Sequence, residues 1–126
     1  MWPYNQQLEP PAPFLDVVIR NPHSPDQMHS VTAKVDTGAD LSAIPQAVAT
    51  ALGLLPAQTI VAESFDGSRT RIDTYAVILE VAQARFRYIE VILIPDEHAL
   101  IGRDILNNFY AHLNGPELTL DLRLSA

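Results

Sequence analysis

Short runs rich in β-branched and aromatic residues, each bounded by turn-forming residues, recur along most of the sequence. Runs of this length and composition are typical of strands, because branched and aromatic side chains pack well on a pleated, half-buried surface. The predicted strands are Phe14–Arg20, His29–Val35, Thr59–Glu63, Arg69–Glu80, Phe86–Ile94, Tyr110–Leu113 and Glu117–Leu124. The spacing of the turn signals predicts a mainly-β fold with a closed, barrel-like sheet.

Two hairpins are signalled by turn residues between neighbouring runs. Asp66-Gly67 separates the third run from the fourth, and Asp-Gly is a strong hairpin signal because glycine adopts positive φ at little cost. Asn114–Pro116 separates the last two runs in the same way. The run Phe86–Ile94 is apolar at nearly every position from Ile89 onward, which predicts a strand buried on both faces.

Two short helices are predicted between the strands. Pro45 suits a first helical turn, Val48 and Leu52 form an i,i+4 apolar pair, and Gly53 provides a C-terminal cap. The second helix is predicted from about Arg103 to Asn108. The complete pattern is that of a mainly-β domain with one or two small helices.

Proline divides the chain into two unequal parts. Six of the ten prolines fall within the first 25 residues of a chain of 126. Because proline fixes φ and lacks a backbone N–H, residues 1–13 are predicted to form an extended arm rather than a packed element. Residues 14–126 have the length of one ordinary domain.

The charge balance and the lack of cysteine exclude several classes of protein. Eight Lys and Arg against fifteen Asp and Glu give a net charge of −7, which argues against general nucleic-acid binding. A chain without cysteine has no disulfide framework, thiolate metal site or cysteine nucleophile, and its histidines lack metal-site spacing. No apolar run is long enough for a membrane span, and the first residues lack the features of a signal peptide. We therefore expect a cytoplasmic protein without membrane contact, metal or other cofactor.

The segment Asp36-Thr37-Gly38-Ala39 has the composition of a reactive turn. An apolar strand runs directly into a carboxylate, which is followed by a small hydroxyl side chain and by glycine. Thr37 can hydrogen-bond across such a turn, and Gly38 lets a substrate backbone approach closely. The alternative interpretation is an inert strand-ending turn, because Asp, Thr and Gly are all common turn residues.

A second motif, Leu100-Ile101-Gly102-Arg103, follows much later in the chain. With the two motifs and the hairpin between them in this order and spacing, the sequence resembles the retropepsin-like aspartic proteases. This is the retroviral-type family with its bacterial and cellular relatives. The resemblance covers about residues 14–122 and implies a closed, barrel-like acid-protease domain.

The resemblance implies a role for each residue of the first motif. Asp36 carries the catalytic carboxylate, and Thr37 links two active-site turns. Gly38 completes the catalytic group and makes hydrogen bonds to the substrate backbone. Ala39 and Asp40 follow as substrate-binding positions.

The resemblance also assigns the residues around the second motif. Arg103 stands where the family has an arginine that pairs with the acid at the position of Asp40, so this pair is interpreted as structural before any direct role in substrate binding. Gly102 is structural as well. Leu100 lines a pocket or packs beneath the active-site turn, and His98 is a further substrate-binding candidate.

The predicted hairpin corresponds to the family's flap, which closes over bound peptide. The flap spans residues 63–70 in this chain, and its substrate-binding candidates are Ser64, Phe65, Asp66 and Gly67. It departs from the family pattern because it is not glycine-rich.

The implied chemistry needs two carboxylates, whereas the chain holds one Asp-Thr-Gly motif. Two close carboxylates share one proton, so that the ionised member activates water and the protonated member protonates the peptide carbonyl. The second aspartate must come from another chain, which predicts a homodimeric endopeptidase acting on a peptide or protein substrate. Its interface is predicted at the turns around Thr37 and at the strand Glu117–Leu124.

Two other classes of function stay open at this point. A catalytically silent dimer could use the same fold as an interaction or assembly module, although such a module has no chemical need for Asp36. A small-ligand-binding β-barrel could contain Asp-Thr-Gly by chance, but this would leave the second motif without explanation.

Overall fold

The computed structural model describes residues 1–126 and is built mainly of β-strands. The strands are β1 (Trp2–Pro3), β2 (Phe14–Asn21), β3 (Ser24–Val35), β4 (Ala43–Pro45), β5 (Pro56–Glu63), β6 (Arg69–Val81), β7 (Ala84–Ile94), β8 (Ala99–Ile101), β9 (Tyr110–Asn114) and β10 (Thr119–Arg123). The helices are α1 (Gln46–Ala51) and α2 (Arg103–Leu106). The predicted mainly-β class with two short helices is confirmed.

Six strands of the larger sheet form a closed ring. Their order is β2-β3-β8-β4-β7-β6, and a further antiparallel pairing of β6 with β2 closes the circuit. The closing pairs run from Val17 opposite Val81 to Arg20 opposite Ile78. The predicted barrel-like closure is therefore confirmed, and it removes most of the free strand edges that an open sheet would expose.

Strand β5 lies outside the ring and pairs only with β6. The residues of β6 from Arg69 to Tyr75 pair with β5, whereas those from Tyr75 onward pair with β7. The two halves of one long strand thus belong to different parts of the molecule. The β5–β6 hairpin extends away from the barrel on the first half of β6.

Two parallel pairings bring distant parts of the chain together. Strand β3 runs parallel to β8, with Val35 opposite Ile101, and β4 runs parallel to β7. Strands β4 and β8 meet at a single antiparallel pair, Ala43 opposite Leu100. The carboxyl ends of β3 and β8 therefore lie side by side, so the residues that follow each strand share one edge of the barrel.

The core fills the ring and follows the alternation of the strands. In β2, Leu15, Val17 and Ile19 are buried, and in β3 Ala33 and Val35 are buried while their neighbours are exposed. Burying one such aliphatic side chain stabilises the fold by roughly 1.5–3 kcal/mol. The alternation of apolar residues in the strand that ends at Val35 therefore predicts its buried face, although Val31 is only partly buried.

Strand β7 differs from the prediction of burial on both faces. Val91 is its only fully buried residue, and the other apolar residues of its second half are partly exposed. Ile89 and Leu93 pack against the core beside Val91, and Ile92 and Leu93 also line an open cavity of about 220 Å³. The composition of the run indicated full burial, but the chain covers this strand only in part.

The two helices lie close to their predicted positions with different ends. Helix α1 begins after Pro45, which has extended φ and ψ and acts as the N-cap rather than as the first helical residue. Gly53 follows the helix at φ +63°, where glycine is favoured. Helix α2 is a single turn that ends at Leu106, two residues earlier than predicted. No helix is long and apolar enough to cross a membrane.

Residues 1–13 do not form a free extended arm: Asn5 pairs with Ala12 across a turn, and the segment packs against the domain. Strand β1 pairs with β10, with Trp2 opposite Leu120, and the Tyr4 N–H donates to the Leu118 carbonyl at 2.8 Å. Trp2 and Tyr4 also contact the core. The apolar area of these two aromatic rings outweighs the effect of the prolines around them.

The C-terminal hairpin is present and changes the interpretation of the last strand. Strands β9 and β10 pair across the predicted turn, and β10 is the central strand of a three-stranded sheet with order β1-β10-β9. Strand β9 pairs along the whole of one edge of β10, whereas β1 pairs only with Thr119 and Leu120 on the other edge. The expected interface at Glu117–Leu124 stays a prediction.

Candidate active site

The candidate site lies where β3 and β8 end side by side. The turn that follows β3 begins at Asp36, and its N–H donates to the Ile101 carbonyl in β8 at 2.9 Å. On the other side, the Arg103 N–H at the start of α2 donates to the Ala39 carbonyl at 2.9 Å. The backbone of the first motif is thus bonded at both ends to the backbone of the second.

The carboxylate of Asp36 is held by its own turn. The Gly38 N–H donates to Asp36 Oδ1 at 2.9 Å, and the Ala39 N–H donates to the Asp36 carbonyl at 3.2 Å. A Cβ atom on Gly38 would lie 3.2 Å from that same carboxylate oxygen, so glycine leaves room for this close contact. The second carboxylate oxygen, Oδ2, makes no hydrogen bond within the chain and is available to water or substrate.

Arg103 ties helix α2 to the turn. Its Nη1 donates to the Thr37 carbonyl at 2.9 Å, and its Nη2 bonds to Asp40 Oδ1. The expected ion pair between Arg103 and Asp40 is therefore present. Asp40 is 84% exposed, so the pair contributes little to stability and serves to fix the shape of the turn.

Ser42 and Asp104 form a buried link beneath the turn that the sequence interpretation did not include. The Ser42 hydroxyl donates to Asp104 Oδ1 at 2.8 Å, and the Ser42 N–H donates to Asp104 Oδ2 at 3.0 Å. Ser42 Oγ in turn accepts the Gly102 N–H at 3.0 Å. The available signal was an acid in the first turn of a predicted helix, together with a serine directly before an apolar strand.

Gly102 is required by close packing rather than by backbone conformation. A Cβ atom at this position would lie 2.8 Å from the Ala39 carbonyl oxygen and 3.0 Å from the Leu41 carbonyl oxygen. Real Cβ atoms do not approach backbone atoms so closely, so any other residue must push the two motifs apart. The structural role expected of Gly102 thus has a direct steric cause.

The predicted hairpin is present at the end of β5 and β6. Glu63 pairs with Arg69, the Ser64 N–H donates to the Ser68 carbonyl at 2.9 Å, and Gly67 adopts φ +82°. Hydrogen bonds from the Ser68 hydroxyl and N–H hold the pKa of Asp66 below its usual value. The tip is stabilised by bonds within itself.

The hairpin tip is solvent-exposed throughout. Every residue from 63 to 71 is exposed, and Phe65 projects its whole side chain into solvent. An aromatic side chain in this position is available for contact with a bound molecule.

His98, just before β8, and Leu100, within β8, lie beside the turn and are not part of it. His98 Nδ1 lies 2.6 Å from the Thr32 hydroxyl, and its ring packs edge-on against Phe14. Leu100 is opposite Lys34 in the parallel pairing and is partly exposed. Neither residue makes a hydrogen bond to Asp36, so their link to the turn is through the face of the sheet that they share.

The turn faces open surface in the single chain. Thr37 and Gly38 are exposed, and Asp36 is half-buried. Cavities of about 620 and 670 Å³ occur elsewhere on the molecule, the first around Trp2 and Phe109 and the second around His29 and Pro45.

Comparisons with known proteins agree with this geometry. The family model described as "gag-polyprotein putative aspartyl protease" matches residues 27–108, well over half of the chain and the whole of both motifs. The chain belongs to this retropepsin-like aspartic protease family. No curated protein matches it.

Solved structures show the same fold at low sequence identity. The EIAV protease, solved with the inhibitor HBY-793, has a TM-score of 0.54 and 18% identity over 76% of this chain and 86% of that one. A retropepsin-like aspartic protease from Rickettsia conorii has a TM-score of 0.53 and 17% identity over 90% and 94% of the two chains. A foamy viral protease–reverse transcriptase has a TM-score of 0.53 and 16% identity over 75% of this chain, which spans 12% of that protein.

Proposed function

We propose that the protein is a homodimeric aspartic endopeptidase in which each copy supplies Asp36. The observation that carries the proposal is the state of this carboxylate. One oxygen is held by the Gly38 N–H, the other is free, and the turn faces open surface at a barrel edge. Membership of an aspartic protease family supports the same reading.

The proposed reaction follows from two carboxylates at close range. They cannot both ionise at low cost, so the pair shares one proton and titrates as a unit. The ionised carboxylate takes a proton from a bound water, whose oxygen attacks the peptide carbonyl carbon, while the protonated carboxylate donates its proton to the carbonyl oxygen. Collapse of the tetrahedral intermediate breaks the C–N bond, and the departing nitrogen takes a proton from the pair.

The remaining residues of the first motif have supporting roles in this proposal. Thr37 lies at the exposed turn where two copies meet, and Gly38 offers backbone that a peptide can approach. Ala39 and Asp40 face the peptide beside them. Arg103 acts through its bonds to the Thr37 carbonyl and to Asp40, which makes it a positioning residue.

The hairpin from Glu63 to Thr70 is proposed as the flap that closes over the peptide. Its tip residues Ser64, Phe65, Asp66 and Gly67 are fully exposed, so closure would bury apolar area that is now in water. Exclusion of water by such closure strengthens the electrostatic interactions within the site.

The interface in this proposal centres on the turns around Thr37. Twofold symmetry places two copies of one surface element against each other, and this brings the two Asp36 carboxylates together. In the small sheet, β1 pairs only with Thr119 and Leu120, so the rest of that edge of β10 has no strand partner within the chain.

The test is incubation of the protein with a random peptide library, with cleavage sites determined by mass spectrometry. The wild-type protein should cleave, and a statine-type inhibitor should block cleavage. Asp36→Asn should abolish cleavage while the dimer persists, because the amide keeps the shape but cannot share a proton. Inhibitor-sensitive cleavage by purified Asp36→Asn protein would contradict the assignment, and no cleavage by wild type would leave the silent assembly module.

A dilution series tests the shared site independently. Specific activity should fall below the dissociation constant of the dimer, as mass action requires. A species shown by sedimentation to be monomeric, yet cleaving peptide at full specific activity, would contradict the two-chain site.

A further inference from the structure

Lys34 is the only lysine of the chain, and it lies two residues before Asp36 in β3. Its side chain is exposed, whereas Ala33 and Val35 on either side of it are buried. Because side chains alternate along a strand, Lys34 is on the face opposite the core, and Asp36 continues the same row. A single ammonium group thus stands next to the proposed catalytic carboxylate.

The residues around Lys34 form one strip of exposed and half-buried side chains along β3 and at the start of β8. Leu100 is opposite Lys34, and His98 lies next to Thr32, with its Nδ1 at 2.6 Å from the Thr32 hydroxyl. The strip of Thr32, Lys34, His98 and Leu100 therefore leads along the sheet to Asp36. The proposed complex, with the cleaved bond at Asp36, places a neighbouring side chain of the peptide over this strip.

The charge of Lys34 is not used within the chain. Lys34 makes no ion pair or hydrogen bond, and neither does Asp16, which is exposed opposite Thr32 on the same face; the two acids that follow the turn do have partners. Asp40 is bound to Arg103, and Asp104 is bound to Ser42. An uncommitted cation on a protein of net charge −7 is a local attractor for an anionic group.

We propose that Lys34 is a specificity-determining residue that selects peptides with an acidic side chain next to the cleaved bond. The proposal rests on the endopeptidase function proposed above. Two copies related by a twofold axis place one Lys34 on each side of the bond, so the preference extends to both flanking residues. The expected size is that of an exposed ion pair, about 1.5- to fivefold in kcat/KM.

The experiment uses one peptide that the wild-type protein cleaves at a single bond. Glu, Gln or Lys is placed at the residue before the bond and, in a second set, at the residue after it. Wild type should prefer Glu over Gln, and the ratio should fall with rising salt. Lys34→Met should bring the Glu-to-Gln ratio to about one, and Lys34→Glu should reverse the order of the Glu and Lys peptides.

Arg87→Met provides the matched control. Arg87 is an exposed cation of β7 that makes no ion pair or hydrogen bond, so its removal changes the net charge equally and should leave the ratio unchanged. If Lys34→Met alters kcat/KM by the same factor for all peptides, Lys34 acts on the carboxylate pair and the proposal is overturned. Equal ratios in wild type and Lys34→Glu also overturn it.

A binding measurement separates this proposal from the proposed catalysis. Labelled Glu and Gln forms of one library peptide that binds Asp36→Asn protein are titrated with that protein, with and without Lys34→Met, and anisotropy gives the two dissociation constants. Tighter binding of the Glu peptide that depends on Lys34 supports the selection even if wild type shows no cleavage. No difference between the two peptides overturns it even if wild type cleaves.

Discussion

The turn at Asp36 and the tip of the β5–β6 hairpin have similar compositions and opposite modes of support. Both are short, contain Asp and Gly, and close a hydrogen bond from a backbone N–H to an aspartate side chain. The turn is also bonded to a distant segment through Arg103 and Ile101. The hairpin tip, from Ser64 to Ser68, is bonded only to itself.

This difference separates the part of the molecule that must stay fixed from the part that can move. Opening the turn breaks long-range bonds of the barrel, so it requires a large fraction of the unfolding free energy. Opening the hairpin breaks local, solvent-exposed bonds and little buried apolar contact, so its free energy is small. Matched substitutions in the two regions should therefore have unequal effects.

The largest inequality is expected between two glycines. Gly102→Ala should lower the free energy of unfolding by about 3 kcal/mol, because its Cβ meets carbonyl oxygens of the turn. Gly67→Ala should cost about 1 kcal/mol, because Gly67 has φ +82° but open space around it. Urea unfolding of both variants measures the difference, and equal losses would show that the turn is not tightly packed.

Two serines give the next comparison. Ser42→Ala removes the acceptor of the Gly102 N–H and a donor to Asp104, which should lower the free energy of unfolding by about 2 kcal/mol. Ser68→Ala, in the exposed hairpin, should change it by less than about 0.5 kcal/mol. Thermal unfolding decides the matter, and a larger loss from Ser68→Ala would reverse the comparison.

Substitutions at the tip of the β5–β6 hairpin should lower activity without lowering the stability of the fold. Phe65→Ala should reduce kcat/KM about tenfold, since closure over peptide loses the burial of an aromatic ring. The unfolding midpoint should not move, because the Phe65 side chain contacts solvent only. Val61→Ala, another exposed apolar change on the same hairpin, is the control. Equal losses of activity in both variants would contradict a specific role for the tip.

The smallest expected effect is on the pH dependence of stability, and it concerns Glu80 at the β2–β6 pairing that closes the barrel. Burial opposes ionisation of Glu80, but hydrogen bonds from Arg85 and Arg20 hold the pKa of Glu80 below its usual value. A carboxylate with a lowered pKa stabilises the fold above its unfolded pKa, and this contribution is lost as the pH falls through the folded value.

Glu80→Gln should therefore lower the free energy of unfolding by roughly 1 kcal/mol at neutral pH. The difference from wild type should be complete above the unfolded pKa of a glutamate and should disappear as the pH falls through the lower pKa of the folded state. Asp66→Asn at the hairpin tip, whose carboxyl also has a lowered pKa, should leave the unfolding midpoint unchanged because its bonds are local. If the difference in unfolding free energy between Glu80→Gln and wild type grows in acid, the ionised Glu80 carboxylate does not stabilise the β2–β6 pairing.

Local signals in the sequence were sufficient for the hairpins and for the first helix. The Asp66-Gly67 pair by itself predicts a turn in which glycine has a positive φ, and Gly67 has one. Pro45 and Gly53 bound α1 as capping residues. These features depend on neighbours in the sequence, so the sequence alone could predict them.

The pairings between distant segments could not be predicted from local signals. The proline-rich start of the chain gave no sign that Trp2 would pair with Leu120, since this depends on apolar area buried only in the folded domain. The buried link of Ser42 to Asp104 is equally invisible, because each residue alone reads as an ordinary turn or helix-start residue. That the two motifs lie close together was predicted from the resemblance to a family, because neither motif alone indicates which segment it contacts.

The parallel pairing of β3 with β8 has a consequence for the order in which the chain becomes functional. The bonds that shape the turn at Asp36 join residues 60 to 66 positions apart in the chain. Contacts of such separation form only after the intervening loop has closed, which makes them slow relative to hairpins and helices. During synthesis the Asp36 turn therefore emerges long before its partners, and a chain that ends before Arg103 holds every residue of the first motif without its shape. The proposed activity can therefore arise only when the barrel is nearly complete.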